Sequence, residues 1–259
     1  MNTNKYIYKY VNKEDGMRIL FDNTLKFSSP NDFNDPFDCY DELLKYDITK
    51  EFIEEQIKIG ILKFENDEDK LPLHEQKKLL SNLYNSDNET IRNSLSFLRN
   101  DLKISCFSEL YNQILMWSHY ADKHSGFCIG FDLDLLSSSI DFILSKVNYS
   151  HDFEKINYCL SPNKALEYMI SNKSIHWEYE KEIRLRTNIR KTNFKDSENG
   201  IVEINKDCIK EIYIGSKSHI SNEEAYLLET KYSNFNTIIK KMELDKNSFK
   251  LNDMNWINN

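Results

Sequence analysis

The 259 residues carry a formal net charge of -8, and 40 % of them are hydrophobic and 13 % aromatic. That composition supports a folded core rather than a disordered chain. It argues against a general affinity for nucleic-acid backbones or anionic membranes, while leaving room for a local basic groove.

Cys39, Cys106, Cys128, Cys159 and Cys208 are widely spaced and form no CxxC pair. They read as free buried thiols in a reducing compartment, not as a zinc ribbon. Residues 1–20 lack a signal-peptide pattern and no run of 18 apolar residues occurs. The expectation is a cytoplasmic protein without a membrane-spanning helix.

In chain order, Tyr6–Val11 reads as a strand, Lys13–Asp22 as a helix with Met17, Ile19, Leu20 and Phe21 inward, and Leu25–Ser28 as a second strand. Residues 29–38 hold two prolines and five Asn or Asp, which excludes regular structure. Phe33 and Phe37 give this loop something to bury. Residues 49–103 are rich in Glu, Lys, Asn and Leu, and Ile91, Leu95, Leu98 and Leu102 have helical spacing. They predict a helical insertion in a single domain spanning 1–259.

Ile104–Ser108 predicts a strand, Glu109–Ser125 a helix stopped near Gly126, and Phe127–Asp132 a strand. Ser161-Pro162 opens a helix. His176–Arg186 and Glu211–Ile214 read as strands, and Ser221 with Glu224 forms a capping box. Thr237–Leu244 and Ser248–Met254 are late strands. The interleaved order makes the fold class α+β, with small mixed or antiparallel sheets around a cleft.

Three constellations can carry chemistry. In an extended Trp177–Arg186, the acids Glu178, Glu180 and Glu182 share one face with Arg184 and Arg186. Trp177, Tyr179, Ile183 and Leu185 share the other face with Lys181. Neighbouring acids about 7 Å apart on one face repel unless cations or solvent screen them. A solvated face with ordinary ion pairs is the plain alternative. On the 109–125 helix, Leu110, Ile114, Trp117 and Ala121 form an apolar stripe, while Met116, His119, Tyr120 and Lys123 fall on another face. His119 and His124 are five apart, poor helical spacing for a shared metal, so no metal is expected. In the 30–38 loop, Asp35 and Pro36 read as turn formers, and Asn34 can offer its amide to a ligand. Phosphate-loop, GxGxxG, GxSxG and HExxH patterns are missing.

These pieces, in order, resemble domain of unknown function 2971. The set runs from Tyr8-Lys9-Tyr10 and Leu25-Lys26-Phe27-Ser28 through Phe33-Asn34-Asp35-Pro36-Phe37 and Ser105-Cys106-Phe107-Ser108. It continues with Met116-Trp117-Ser118-His119-Tyr120-Ala121, His124-Ser125-Gly126-Phe127, Trp177-Glu178-Tyr179-Glu180-Lys181-Glu182-Ile183-Arg184 and Ile212-Tyr213-Ile214-Gly215. The layout is also similar to ADP-ribosyltransferase-like folds. That resemblance implies NAD as co-substrate, with Lys9, Tyr120 and Glu180-Lys181-Glu182 in the key places. Glu182 would be catalytic, Glu180 would orient the nucleophile, Tyr120 would stack on nicotinamide, and His119 completes the catalytic set. The ligand-holding set is Lys9, Tyr10, Asn34, Trp117, Lys123 and Arg184. The chain departs from that layout in having Lys9 where His or Arg is usual, and Lys181 between the glutamates. Two alternatives stand beside this reading. One is a metal-dependent nuclease or hydrolase using Asp35, Asp38, Glu180 and Glu182 with His119 as base. The other is a non-catalytic module that senses a nucleotide-like small molecule in a toxin or phage-defence system. In each case the loop, the helix face and the strand should converge on one concave site.

Overall fold

The computed structural model describes residues 5–47, 49–58, 71–76, 78, 102–188, 196 and 199–256, with backbone alone for 53, 55–57 and 188. The chain starts with β1 (Tyr6–Val11), whose alternation sets Ile7 inward against the main core. Asn12 caps α1 (Lys13–Met17) by accepting from the Asp15 amide. The helix continues as a π-helical turn over Arg18–Asp22 that buries Ile19 and Leu20, and left-handed Asn23 ends it. β2 (Thr24–Lys26) follows, and Ser28 makes a single bridge to Ile104.

β3 (Leu44–Lys45) and α2 (Lys50–Lys58) lead into the 49–103 stretch. Ile91, Leu95 and Leu98, three of the four residues of the expected stripe there, lie outside the described residues. Leu102, the fourth, instead opens β4 (Leu102–Ser108). After α3 (Ile114–His119) come β5 (Phe127–Asp132), α4 (Leu133–Ser137), β6 (Ile143–Lys146), β7 (Asn148–Ser150) and β8 (Ile156–Asn157). α5 (Pro162–Ser171) starts at the foreseen Ser-Pro, although Ser161 makes no side-chain capping bond. β9 (Asn172–Ser174), β10 (Glu182–Asn188), β11 (Ile201–Glu203) and β12 (Ile209–Ile214) come next. The foreseen capping box of Ser221 and Glu224 starts α6 (Asn222–Tyr232), and β13 (Ile238–Leu244) and β14 (Leu251–Asn255) close the described chain.

Eight strands form one sheet in the order β14-β13-β12-β5-β1-β4-β10-β6, and small two-stranded sheets flank it. All its pairs are antiparallel except β12 with β13, which α6 connects. The fold is therefore α+β. No helix among the described residues is long and apolar enough to cross a membrane.

The two sheet faces differ in chemistry. Ile7, Phe107, Phe127, Ile129, Phe131, Ile183, Leu185 and Ile212 build the main core with Leu20, Leu136, Leu228 and Tyr232. A smaller cluster gathers Tyr10, Trp117, Cys128 and Tyr213, and another gathers Cys39, Ile104, Ala165 and Met169. All five cysteines are free thiols.

The sheet opens at its middle. β1 pairs with β5 along its whole length, and β4 pairs with β10 through seven residues. Between β1 and β4 the ladder has one paired position, Tyr8 with Ser108. A continuing antiparallel ladder would pair Lys9 with Phe107 and then Tyr10 with Cys106. There the Lys9 ammonium donates to the Cys106 carbonyl and the Ser105 hydroxyl, each at 3.0 Å. Farther along, the free edge of β4 is closed by reciprocal Ser28–Ile104 backbone bonds of 2.8 and 2.9 Å. Beside the small two-stranded sheets, the structure thus has one large sheet that diverges between β1 and β4, its fifth and sixth strands counted from β14.

Gly200 has φ +68°, and a Cβ there would lie 1.9 Å from the Phe27 carbonyl oxygen, which accepts no such approach. The Gly200 carbonyl in turn accepts from the Phe27 amide at 2.8 Å. Gly200→Ala should therefore cost at least about 2 kcal/mol. Denaturant unfolding measures this, and an unchanged midpoint would contradict the tight β2–β11 approach.

Candidate active site

A cavity of about 1160 Å³ follows the opening between β1 and β4. Lys9 and Tyr10 line it from β1, and Cys106 and Phe107 from β4. Phe33, Asn34 and Asp38 reach it from the loop, His119 and Tyr120 from the end of α3, and Lys173, Glu180 and Glu182 from the region around β9 and β10. The three segments singled out in the sequence do converge.

The loop is shaped by local bonds. Ser29 accepts from the Asn31 amide at 3.3 Å and starts a 3₁₀ turn at Pro30. Asp35 accepts from the Phe37 amide at 2.9 Å, so its role is to form the turn. Phe33 packs on a core cluster, whereas Phe37 is 57 % exposed and does not provide the expected burial. Asp38 turns inward.

The helix expected over 109–125 is only Ile114–His119. It ends because Asp122, Lys123 and His124 are all left-handed, with φ of 46°, 53° and 75°. The Gly126 amide returns to the Ala121 carbonyl at 2.8 Å, and a Cβ on Gly126 would meet the Val11 carbonyl at 2.1 Å. This early stop aims Tyr120 at the acids, and its hydroxyl donates to Glu180 Oε1 at 2.7 Å.

The strand expected over 176–186 is also interrupted. Ile175–Glu180 is a 3₁₀ segment, Lys181 is left-handed at φ 43°, and β10 starts at Glu182. The acids therefore do not share one solvated face. Glu178 is exposed and pairs with Lys181 at 3.0 Å, while Glu180 and Glu182 are 2 % and 3 % exposed. Both close on one ammonium. Lys173 Nζ lies 2.6 Å from Glu180 Oε2, 3.0 Å from Glu182 Oε2 and 3.4 Å from Asp38 Oδ2.

Arg184, fully buried, completes the cluster. Its Nε donates to Glu182 Oε1 at 2.8 Å, and Nη2 to Glu182 Oε2 at 3.0 Å and Asp38 Oδ2 at 2.8 Å. Its Nη1 donates to the Ile170 carbonyl at 2.6 Å. Among the described residues, three carboxyl groups thus contact two cations directly, an excess of one negative charge within these contacts when all are ionised.

The environments of the two glutamates push them apart. Burial works against a charge on Glu182, but Arg184 and then Lys173 more than offset it and hold the group at about 2. Burial raises Glu180 above the usual carboxylate range despite Lys173, and Glu182 adds to the rise. Burial raises the Tyr120 phenol, as does Glu180 beside it. Burial lowers Lys9.

Of the expected residues, Lys9, Tyr10, Asn34, His119, Tyr120, Glu180 and Glu182 line the cavity. Trp117, Lys123 and Arg184 do not. Trp117 is a fully buried core residue whose indole donates to the Tyr111 carbonyl at 2.8 Å. Lys123 belongs to the exposed left-handed run. Arg184 lies behind the acids as their anchor. The sequence reading missed Lys173 as the hub and Tyr149, whose hydroxyl accepts from the Glu182 amide at 2.8 Å. The signal for Lys173 was the repulsion among the acids, which asked for a cation from elsewhere in the chain.

Residues 116–185 match the model of a family described as Protein of unknown function (DUF2971). No curated protein and no solved structure matches the chain.

The two glutamates should separate in stability measurements. Glu182→Gln leaves a buried guanidinium and ammonium short of their partner and should cost on the order of 3–5 kcal/mol. Glu180→Gln leaves two acids against two cations and removes a carboxylate whose charge burial disfavours, so it should cost less, on the order of 1 kcal/mol. Because Glu182 is depressed, its contribution is present above its ordinary value of 4.5 and is lost as pH falls through about 2. Acid unfolding between those values should be steep in the native chain and shallower in Glu182→Gln. Equal losses in the two variants would contradict this division of roles.

Proposed function

We propose that this chain, a member of the DUF2971 family, cleaves the bond between nicotinamide and ribose in NAD and passes the ADP-ribosyl group to an acceptor. One observation carries the reading: an excess negative charge, buried and fixed, forms one wall of a large cavity in a divided sheet. Cleaving this bond builds positive charge on the ribose. A preorganised anion in a water-poor site stabilises such charge without reorganising.

The roles follow from what each oxygen already contacts. Both Glu182 oxygens are held by Arg184 and one also by Lys173, so Glu182 fixes the two cations in place. Among the described residues, Glu180 is held by Tyr120 and Lys173, has no bond to Arg184, and is the carboxyl whose charge burial disfavours. We therefore assign Glu180 to stabilising the ribosyl cation and taking the acceptor's proton, and Glu182 to positioning. Tyr120 orients Glu180, and Asn34 and Lys9 lie within the cavity to hold polar parts of the substrate.

The metal-dependent alternative fits less well. Asp38, Glu180 and Glu182 already bind two cationic side chains, and Asp35 is committed to its turn. A cytoplasmic setting, which supplies NAD, accompanies the proposed activity.

Purified chain should release nicotinamide from NAD. Glu180→Gln should remain folded and lose on the order of 10²-fold or more in rate. Glu180 must be ionised to act and its pKa is raised, so activity should fall with an acid limb above 4.5. The Tyr120 hydrogen bond lowers Glu180, so Tyr120→Phe should move that limb to higher pH. Full turnover by Glu180→Gln would overturn the assignment, and metal-dependent cleavage of single-stranded RNA or DNA without nicotinamide release would favour the nuclease.

A further inference from the structure

We propose that His119, Tyr179 and Trp177 form an acceptor platform that stacks a nucleobase beside Glu180. The proposal rests on the transfer reading above and names the acceptor class. The three rings form a row that starts at His119, which lines the cavity, and runs on through Tyr179 to Trp177. His119 and Tyr179 have centroids 6.3 Å apart at 37°, and Tyr179 and Trp177 6.0 Å apart at 42°. The row begins beside the reacting carboxyl, because His119 is 6.3 Å from the ring of Tyr120, which bonds Glu180. His119 is exposed, and the other two rings are half-buried.

This row does not belong to any core cluster through His119 or Trp177, yet its backbone is held firmly. Tyr179 and Trp177 sit on the 3₁₀ segment Ile175–Glu180, stopped by left-handed Lys181. The Ser108 hydroxyl donates to the Glu180 carbonyl at 2.6 Å, and the Glu109 amide donates to the Lys181 carbonyl at 3.0 Å. A row of rings with an exposed end, carried on a fixed backbone, suits a flat partner, because little order is lost when it binds.

The charge around the row selects among flat partners. The Lys173 ammonium already lies 5.1 Å from the centroid of Trp177. It uses the ring's attraction for cations, so a neutral heterocycle stacks there better than a guanidinium. The net charge of -8 favours short acceptors over a long polyanion. A nucleobase meets both conditions, whether in a mononucleotide or at an exposed position of a single strand.

The step balances. The nicotinamide ring nitrogen takes the electron pair of the broken glycosidic bond and leaves as neutral nicotinamide. A ring or exocyclic nitrogen of the base bonds to the ribose carbon. Its proton passes to Glu180 and then to solvent, one proton per turnover.

The full chain is incubated with labelled NAD and either the nucleoside monophosphates or short single-stranded oligonucleotides. Nicotinamide and the ADP-ribosylated base are measured by mass spectrometry. An adduct with mononucleotides or with oligonucleotides supports the platform, and the arm that reacts identifies the source of the base. In Trp177→Ala and Tyr179→Ala the ratio of adduct to free nicotinamide should fall about 10-fold. Trp177→Phe, which keeps a ring and the packing, should retain most of that ratio. Nucleotide-induced quenching of tryptophan fluorescence, read against Trp177→Phe, tests binding without chemistry. Quenching that requires Trp177 but no nicotinamide release would keep the platform and refute NAD cleavage. Nicotinamide release with no base adduct and no Trp177-dependent quenching would overturn the platform, as would labelling confined to protein side chains.

Discussion

A guanidinium with no exposed surface ties three parts of this fold together. Arg184 must have its donors satisfied inside the protein, since a buried charge without partners is costly. It draws those partners from three places: Glu182 on its own strand, Asp38 from the proline-rich loop, and the Ile170 carbonyl near the end of α5. Satisfying one side chain therefore fixes a strand, a loop and a helix end relative to one another. Lys173 repeats the arrangement one layer nearer the cavity.

The opening of the sheet and the charge cluster depend on each other. Where β1 leaves β4, the Lys9 ammonium serves the Cys106 carbonyl that a strand would have paired. The cavity this creates gives Glu180 and Glu182 an open side. Had the ladder continued, these acids would face a closed sheet, and their excess charge would have no ligand to act on.

How far the fold was legible depended on local chemistry. β1 was recoverable from its alternation, β5 from its continuous apolar content, and α6 because Ser221 and Glu224 bond reciprocally. Two elements misled. Trp177–Arg186 alternates like a strand, yet Lys181 adopts a left-handed conformation for which its side chain gives no cue. The helix through His119 stops early because Asp122, Lys123 and His124 take the same conformation without a glycine among them. The candidate site was more legible than its wiring. Tyr120, Glu180 and Glu182 stood out as polar residues with no obvious packing role, but their partners Lys173 and Asp38 are fixed by tertiary contacts that no local pattern encodes.

The distribution of this cluster along the chain also bears on inheritance. The segment that matches the family, 116–185, holds Tyr120, Lys173, Glu180, Glu182 and Arg184. Asp38, which meets both cations, and Lys9, which holds the sheet apart, come from before it. So do β1 and β4, the two strands between which the cavity opens. The matched segment is therefore not a portable module. A recombination event that moved it alone would carry two buried cations away from one of their counter-ions and from the strands that support them. Exchange between relatives would preserve the site only when the first strand and the proline-rich loop travelled with it.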